Sequence, residues 1–173
     1  MRPVLAIGAL IAAVSTMVSA QGGVLGGDAT ACSTGGPAIR VHVIGLKDRS
    51  GELKLELYPA NEEDFLKDDH DLIKQGKVFR RVTVPTPASG DLTMCIRVPH
   101  AGRYALLFTH NRDGRNKFNF WSDGAGFPSN QRLGRSRPNL SQAVIDVPAG
   151  VVTTNIRAQY LRGLGGFSPM KAN

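Results

Sequence analysis

The chain has 173 residues and a formal net charge of +7, with 42% hydrophobic and 20% charged side chains. Its length is that of one ordinary domain. The positive charge favours an anionic partner such as lipopolysaccharide, anionic lipid or acidic glycan, although a basic surface can also serve only solubility. Nucleic acid is a minor option as a partner, because the export predicted below would remove the chain from most of it.

Residues 1–20 have the three parts of a secretory signal peptide. Arg2 forms a short basic region, residues 4–14 are almost wholly apolar, and the small residues VSA end at Ala20. The alternative, a membrane anchor, is disfavoured because the apolar run is shorter than the ~20 residues that span a bilayer. We expect an exported protein, periplasmic or extracellular, with no transmembrane segment after cleavage before Gln21.

Residues 21–37 are glycine-rich, and we expect them to be irregular and held in place only at Cys32. Cys32 and Cys95 are the two cysteines of the chain, and an even count in an oxidising compartment predicts one disulfide. A lipid-modified Cys32 is the competing interpretation. It is disfavoured because this cysteine lies well beyond the apolar run of the leader.

From residue 38 onward, the chain contains seven segments in which apolar and polar residues alternate with the period of a β-strand. Turn residues separate most of them. We therefore predict an all-β fold, a single immunoglobulin- or transthyretin-like β-sandwich of about seven strands. The sandwich spans residues 38–161, and a flexible tail follows at residues 162–173. The segments are AIRVHVIGL, ELKLELY, KVFRRVTV, DLTMCIRV, RYALLFTH, QAVIDV and VTTNIRAQY.

The alternation assigns one face of each strand to the core. Leu55, Leu106 and Ile156 lie centrally on inward faces, whereas Lys54 points outward. The turn residues KDRSG between the first two segments predict that these strands form a hairpin. Cys95 also points outward, so a disulfide to the N-terminal segment would hold that segment across the outside of a sheet.

One segment, ANEEDFLKDDHDLIKQGK, departs from the strand period. Phe65 with Leu72 and Leu66 with Ile73 repeat at helical spacing, and Asn61 is of a residue type that caps helices. The segment predicts one short helix with a solvated acidic face. Its DDHD sequence could also hold a divalent ion, but a charged helix face is the preferred interpretation.

The connection 110–139 is unusually long for a sandwich, and long connections are usually functional or disordered. It contains four aromatic residues and six basic residues against two acidic ones, which argues against disorder. We predict a binding loop for an anionic envelope component, glycan or lipid, or for another envelope protein. The aromatic residues can equally form a hydrophobic plug over the open end of the sandwich, and the two roles are compatible. The candidate binding residues are His110, Arg112, Arg115, Lys117, Phe120, Trp121 and Phe127, of which Arg112, Arg115 and Lys117 are expected to face solvent.

The chain lacks the sequence motifs of common catalytic sites. Its four histidines are scattered without metal-ligand spacing, and no nucleophile elbow, phosphate-binding loop or HExxH sequence occurs. Paired cysteines are not nucleophiles. We predict a non-enzymatic binding or envelope-accessory module that uses the 110–139 loop and needs no cofactor. The alternative is an enzyme whose site is assembled across several loops.

Four runs of residues carry a family resemblance. HVIGLKDRSGELKLELY, VPHAGRYALLFTHNRDGRNKFN, DGAGF and LGRSRPNLSQAVIDV resemble the DUF2141 family of exported bacterial proteins. The resemblance covers residues 38–160 and is most specific where Gly102 and Tyr104 lead into the His110 loop. It implies a small secreted β-sandwich and assigns no activity.

Members of that family typically carry a turn in this loop that resembles a short calcium site, His-Asp-x-Asn-x-Asn/Gly-Lys-x-Asp. Here Asn111 stands for the first Asp, Asp113 for the Asn, Arg115 for the next polar residue and Asn119 for the last Asp. Calcium usually needs more than one carboxylate, and this turn keeps only Asp113. We predict no metal. The alternative is a calcium-stabilised structural module built on Asn111, Asp113 and Asn119.

Overall fold

The computed structural model of the protein describes residues 23–115 and 117–170. The predicted signal peptide at residues 1–20 and the last residues of the predicted tail lie outside these ranges. Within them, no helix is long and apolar enough to cross a membrane.

The described part of the chain is all-β, as predicted, with ten strands and three short α-helices. The count exceeds the predicted seven because β6 lies inside the long loop, β9 is separate from β8, and β10 lies in the predicted tail. The strands are β1 (Ala38–Ile44), β2 (Glu52–Pro59), β3 (Arg80–Pro85), β4 (Leu92–Arg97), β5 (Gly102–Asn111), β6 (Gly124–Gly126), β7 (Val144–Val147), β8 (Val151–Arg157), β9 (Gln159–Leu161) and β10 (Phe167–Pro169). The α-helices are α1 (Ala31–Thr34), α2 (Asp69–Lys74) and α3 (Leu140–Ala143), and Gly163–Gly165 form a single 3-10 turn.

The strands form two sheets packed as a sandwich. The small sheet has the order β4-β1-β8, in which β1 is antiparallel to β4 and parallel to β8. The large sheet has the order β10-β9-β6-β5-β2-β3. β2 pairs with one edge of β5. On the opposite edge, β7 pairs with the first half of β5 and β6 pairs with the second half. The long strand β5 therefore carries the 110–139 loop directly from the middle of the large sheet.

The predicted hairpin between the first two strands is wrong. β1 and β2 lie in different sheets, and the residues between them cross from one sheet to the other. Each strand has two partners in its own sheet, so their apolar faces meet across the core instead of lying side by side. Val41 and Leu55, both fully buried, belong to the same core cluster.

The core between the sheets follows the predicted alternation. Leu55, Leu106 and Ile156 are each 0% exposed. Tyr104 lies at the edge of this core, where its hydroxyl donates to the His100 carbonyl at 2.8 Å. Such a bond from a tyrosine to the backbone upstream is the tyrosine corner of immunoglobulin-type sandwiches. The two-sheet sandwich is therefore confirmed.

A second apolar cluster lies on the outer face of the large sheet. Segments around α2 and α3 cover this face and bury Tyr58, Phe65, Leu72, Ala105, Phe127 and Ala143. As a result, outward strand positions do not all meet solvent. The side chain of Lys54 is only 15% exposed, and Glu56 is buried. The expectation that Lys54 is a freely solvated position is wrong, because period-two alternation says nothing about what covers the second face.

The predicted helix is present but shorter than its sequence pattern. α2 begins after Asp68, whose side chain accepts the His70 backbone N–H, and it ends at Lys74. Asn61 caps a separate turn through the Asp64 N–H at 2.9 Å. Only one apolar position of α2 meets the sheet, so Leu72 is buried while Ile73 is 61% exposed.

The N-terminal segment is more ordered than predicted. Cys32, on α1, is bonded to Cys95, and together with Ala38 they form a small apolar cluster outside the main core. The predicted disulfide and its position on the outside of a sheet are confirmed. A second attachment exists at Asp28, whose carboxylate is bound by the Arg80 guanidinium.

The predicted flexible tail is wrong for its described part. β10 pairs with β9, and Phe167 is buried. Phe167 also exchanges backbone hydrogen bonds with Gly134 in the long loop, its carbonyl accepting at 3.0 Å and its N–H donating at 2.6 Å. The C-terminal segment therefore supports the 110–139 loop.

Candidate functional site

His110 lies at the end of β5, at the base of the long loop, and is fully buried. Its Nε2 donates to the Ser50 carbonyl at 2.7 Å, so its Nδ1 accepts from the Tyr160 hydroxyl at 2.7 Å. The Tyr160 oxygen in turn accepts the Lys47 backbone N–H at 3.1 Å. Burial lowers the pKa of His110, which favours the neutral ring. His110 is therefore a structural residue, and the interpretation of this side chain as part of a binding surface is wrong.

The turn between β1 and β2 packs directly against the loop base. Gly51 has φ +67°, and a Cβ there would lie 2.1 Å from the Asn111 carbonyl oxygen. Arg112 donates to the Asp48 carboxylate through Nε at 2.9 Å and through Nη2, and its Nη1 donates to the Ser122 carbonyl at 2.9 Å. The hydrogen bond with Arg112 lowers the pKa of Asp48. The expectation that Arg112 faces solvent is wrong, because this side chain joins two loops.

A buried carboxylate, Asp123, organises the loop. It accepts hydrogen bonds from the Arg112 N–H at 2.9 Å, the Asn119 N–H at 2.8 Å and the Ser122 hydroxyl at 3.0 Å. Asp123 is only 1% exposed. In the sequence analysis, Asp123 counts only as a charge, although Asp-Gly is a common turn sequence and Gly124 begins β6.

The residues of the calcium-like turn do not converge on one point. Asp113 accepts from Asn119 Nδ2 at 2.7 Å and from the Arg115 N–H at 3.1 Å, and the bond from Asn119 lowers its pKa. Asn111 instead faces β2, with its Nδ2 3.5 Å from Glu52. Calcium needs several oxygens directed at one centre, and this arrangement does not fit that need. That the protein needs no metal stays a prediction.

The aromatic residues of the loop divide into two groups. Phe118, Phe120 and Trp121, which we call the aromatic tip, are 47%, 42% and 81% exposed. Phe120 packs its ring 4.9 Å from that of Phe167, and Trp121 lies 5.9 Å from Phe120. Phe127 is 2% exposed and belongs to the second apolar cluster. Phe127 is therefore buried against the outer face of the large sheet and not over the open end of the sandwich, where the plug was predicted, whereas the rings of the aromatic tip are exposed.

Basic side chains flank the aromatic tip. Arg115 and Lys117 are exposed, as predicted, and Arg115 lies 3.6 Å from Asp113. On the side of the tip next to β10, Arg132 donates to the Gly165 carbonyl at 2.8 Å. The loop thus presents exposed aromatic rings among cations.

The DDHD sequence forms a small exposed group. Ligand atoms of Asp68, Asp69 and His70 lie within 4.8 Å of one another. Asp68 caps α2, and Asp69 accepts from Arg81 at 2.8 Å. These contacts account for both carboxylates and agree with the interpretation as a charged helix face.

A family model described as "Uncharacterized protein conserved in bacteria (DUF2141)" matches residues 41–155. The matched region runs from β1 into β8 and includes the whole 110–139 loop. A search of curated proteins and a search of solved structures give no significant match.

Proposed function

The chain belongs to the DUF2141 family, and we propose that it is an exported, non-enzymatic binding module that attaches to anionic lipid surfaces through its aromatic tip. One observation carries the proposal. Trp121, the only tryptophan of the chain, is 81% exposed and stands beside two further exposed rings and two exposed cations.

Exposed rings of this kind are costly unless a partner covers them. Soluble proteins rarely expose contiguous large apolar groups, and such groups mark interaction sites. Tryptophan in particular partitions into the interface between lipid headgroups and acyl chains. Leu164, which is 87% exposed, follows β9 and adds an apolar side chain to the region next to β10.

The aromatic tip is held on a firm support. Phe118 and Phe120 contact Phe167 with ring centroids 6.0 Å and 4.9 Å apart, and Phe167 is anchored between β9 and the loop. A support that orders the rings before binding reduces the entropy lost on association.

The surrounding charge favours an anionic surface over a neutral one. The 110–139 loop has six basic residues against two acidic ones, and one of the two, Asp123, is buried and hydrogen-bonded within the loop. Each Lys or Arg near an anionic leaflet contributes about 1 kcal/mol of attraction. Rings that enter the interface and cations that meet headgroups suit a lipid surface better than an acidic glycan, which offers no apolar interior.

The disulfide supports the export part of the proposal, since such bonds persist mainly outside the reducing cytosol. We expect the mature chain to begin at Gln21 and to carry the Cys32–Cys95 bond. Intact-mass measurement of the protein from the envelope fraction, without reduction, checks both expectations. A chain that retains its leader in the cytosol, with two free thiols, would contradict export.

Vesicle co-sedimentation tests the lipid proposal. We expect binding to phosphatidylglycerol vesicles and not to phosphatidylcholine vesicles, with affinity falling steeply as salt is added, because exposed charges are screened beyond ~8 Å at physiological ionic strength. The double variant Arg115→Ser/Lys117→Ser should lose binding, while Lys74→Ser, an exposed lysine on α2, should bind as the wild type. Equal binding to both lipids, or binding only to an acidic polysaccharide, would overturn the proposal.

A further inference from the structure

A pocket with a volume of about 350 Å³ lies beneath the loop, on the outer face of the large sheet. Its floor is formed by outward residues of β2 and β5, and its roof by Arg115, Lys117 and Phe118 of the loop. This volume is in the range of small-molecule sites, roughly 300–1,000 Å³. The pocket shares only Phe118 with the aromatic tip, and Arg115 and Lys117, which flank the tip, also line the pocket.

The walls of the pocket are apolar. Leu107 of β5 and Ala125 of β6 face it from the sheet, and Leu66, Phe118 and Phe127 face it from the covering segments. Leu107 and Leu66 are only partly buried, so these walls are available to a ligand. Such walls favour a ligand with an aliphatic or aromatic group.

The charges at the pocket are unbalanced in favour of cations. Of the two carboxylates that line it, Glu56 is bound by Arg81 Nε at 2.5 Å, and Asp123 is saturated by N–H and O–H groups of the loop. Lys117 makes no ion pair with any residue of the described ranges, and Lys54 reaches Glu52 only at 3.9 Å. An anionic group on a ligand would therefore meet Lys117, which has no ion pair within the described ranges, and Lys54, whose ion pair with Glu52 is long.

The floor also offers one buried polar atom without a partner. Asn111 is 2% exposed, and its buried Oδ1 has no hydrogen-bond partner in the described part of the chain. Buried polar atoms without partners are uncommon and need an explanation. Thr109, two residues before Asn111 on the same face of β5, lines the same pocket.

From these observations, we propose that the pocket binds a medium-chain carboxylic acid whose chain carries a hydroxyl. The alkyl chain of the acid lies against Leu107, Ala125 and Phe127, and its carboxylate contacts Lys117 and Lys54. The hydroxyl donates to the Asn111 amide oxygen. This inference does not depend on attachment to lipid surfaces, because the pocket is complete without the exposed rings of Phe120 and Trp121.

Isothermal titration calorimetry with monomeric dodecanoate is the direct test. We expect the wild type to bind dodecanoate, its β-hydroxy derivative to bind several-fold more tightly, and dodecanol to bind at least tenfold more weakly than dodecanoate. Failure of both acids to bind would overturn the proposal, and so would equal binding of the acid and the alcohol. A hydroxy acid that binds no more tightly than dodecanoate would overturn the role of Asn111.

Two variants locate the ligand. Ala125→Leu fills the pocket, and Lys117→Glu reverses a charge at an exposed position on its rim. Each should weaken binding of dodecanoate at least tenfold. Lys74→Glu is the matched control and should bind as the wild type. Wild-type affinity in both pocket variants would place the ligand elsewhere and contradict the proposal.

Dodecanoate binding in the pocket and lipid attachment through the aromatic tip can be tested independently. Ala125→Leu should still sediment with phosphatidylglycerol vesicles, whereas Trp121→Ala should lose vesicle binding and still bind dodecanoate. If Trp121→Ala abolished dodecanoate binding, the acid would occupy the aromatic tip, and the pocket would be rejected.

Discussion

The His110 ring and the Tyr160 hydroxyl form a buried 2.7 Å hydrogen bond that joins β5 to β9 beneath the long loop. With the Ser50 carbonyl accepting from the other ring nitrogen, His110 has a partner for each nitrogen in its neutral form. A protonated ring would carry a proton on Nδ1 that faces the Tyr160 hydroxyl, which would then have to give up its own donation. The loop base is therefore built for a neutral histidine.

This bond predicts how stability depends on pH. Burial lowers the pKa of His110 below its ordinary value of 6.5, while Asp48 and Asp123 favour the charged ring less strongly. The unfolded chain therefore binds a proton more readily, and the free energy of unfolding should fall as the pH drops below about 6.5. Urea unfolding between about pH 7 and pH 5 measures this slope.

His110→Gln should flatten that slope, whereas the exposed His70→Gln should leave it unchanged. Carboxylates with lowered pKa values, such as Asp48, act in a separate window, because their contribution is lost only below their ordinary value of 3.8. An unchanged slope in His110→Gln would show that another group titrates.

The sequence predicts that Arg112 and Arg115 both face solvent. Because Arg112 pairs with Asp48, its substitution should lower stability more than substitution of Arg115. Arg112 joins the loop to the β1–β2 turn, so Arg112→Ser should cost about 1–3 kcal/mol of stability. Arg115, whose side chain is 77% exposed, should cost less than about 0.5 kcal/mol when changed to serine. Equal unfolding free energies for the two variants would contradict this division.

Substitutions of Phe127 and of Trp121 should likewise differ in how much stability they cost. Phe127→Ala removes a ring from the second apolar cluster and should cost about 3–5 kcal/mol. Trp121→Ala removes a ring that is 81% exposed and should change stability by less than about 0.5 kcal/mol. Thermal and urea unfolding of both variants provide the comparison. A large loss in Trp121→Ala would mean that this ring is part of the plug.

The strands and the inner core could be predicted because alternation is a local property of the sequence. Leu55 and Leu106 follow from period two alone, and both are fully buried. Pairing is not local. The KDRSG turn suits a hairpin, yet β1 pairs with β4 and β8, because a turn does not reveal whether the next strand stays in the same sheet.

The site was harder to predict because it depends on what covers the outer face of the large sheet. Lys54 and Thr109 occupy outward strand positions that sequence periodicity assigns to solvent, and Asn111 lies just beyond the predicted strand RYALLFTH, but the loop closes over all three. The loop itself was visible from its length and aromatic content. Its division into a buried Phe127 and an exposed Trp121 depends on tertiary contacts with β10 and α3, which no local pattern records.

Fluorescence of Trp121 is the most direct test of attachment to anionic lipid, since the chain has no other tryptophan. The free protein should emit as an exposed indole, and phosphatidylglycerol vesicles at low salt should shift the emission to shorter wavelengths as the ring enters the interface. Added salt should reverse the shift, and phosphatidylcholine vesicles should produce none. Emission that does not change with anionic vesicles at low salt, or that shifts equally with both lipids, would contradict the account.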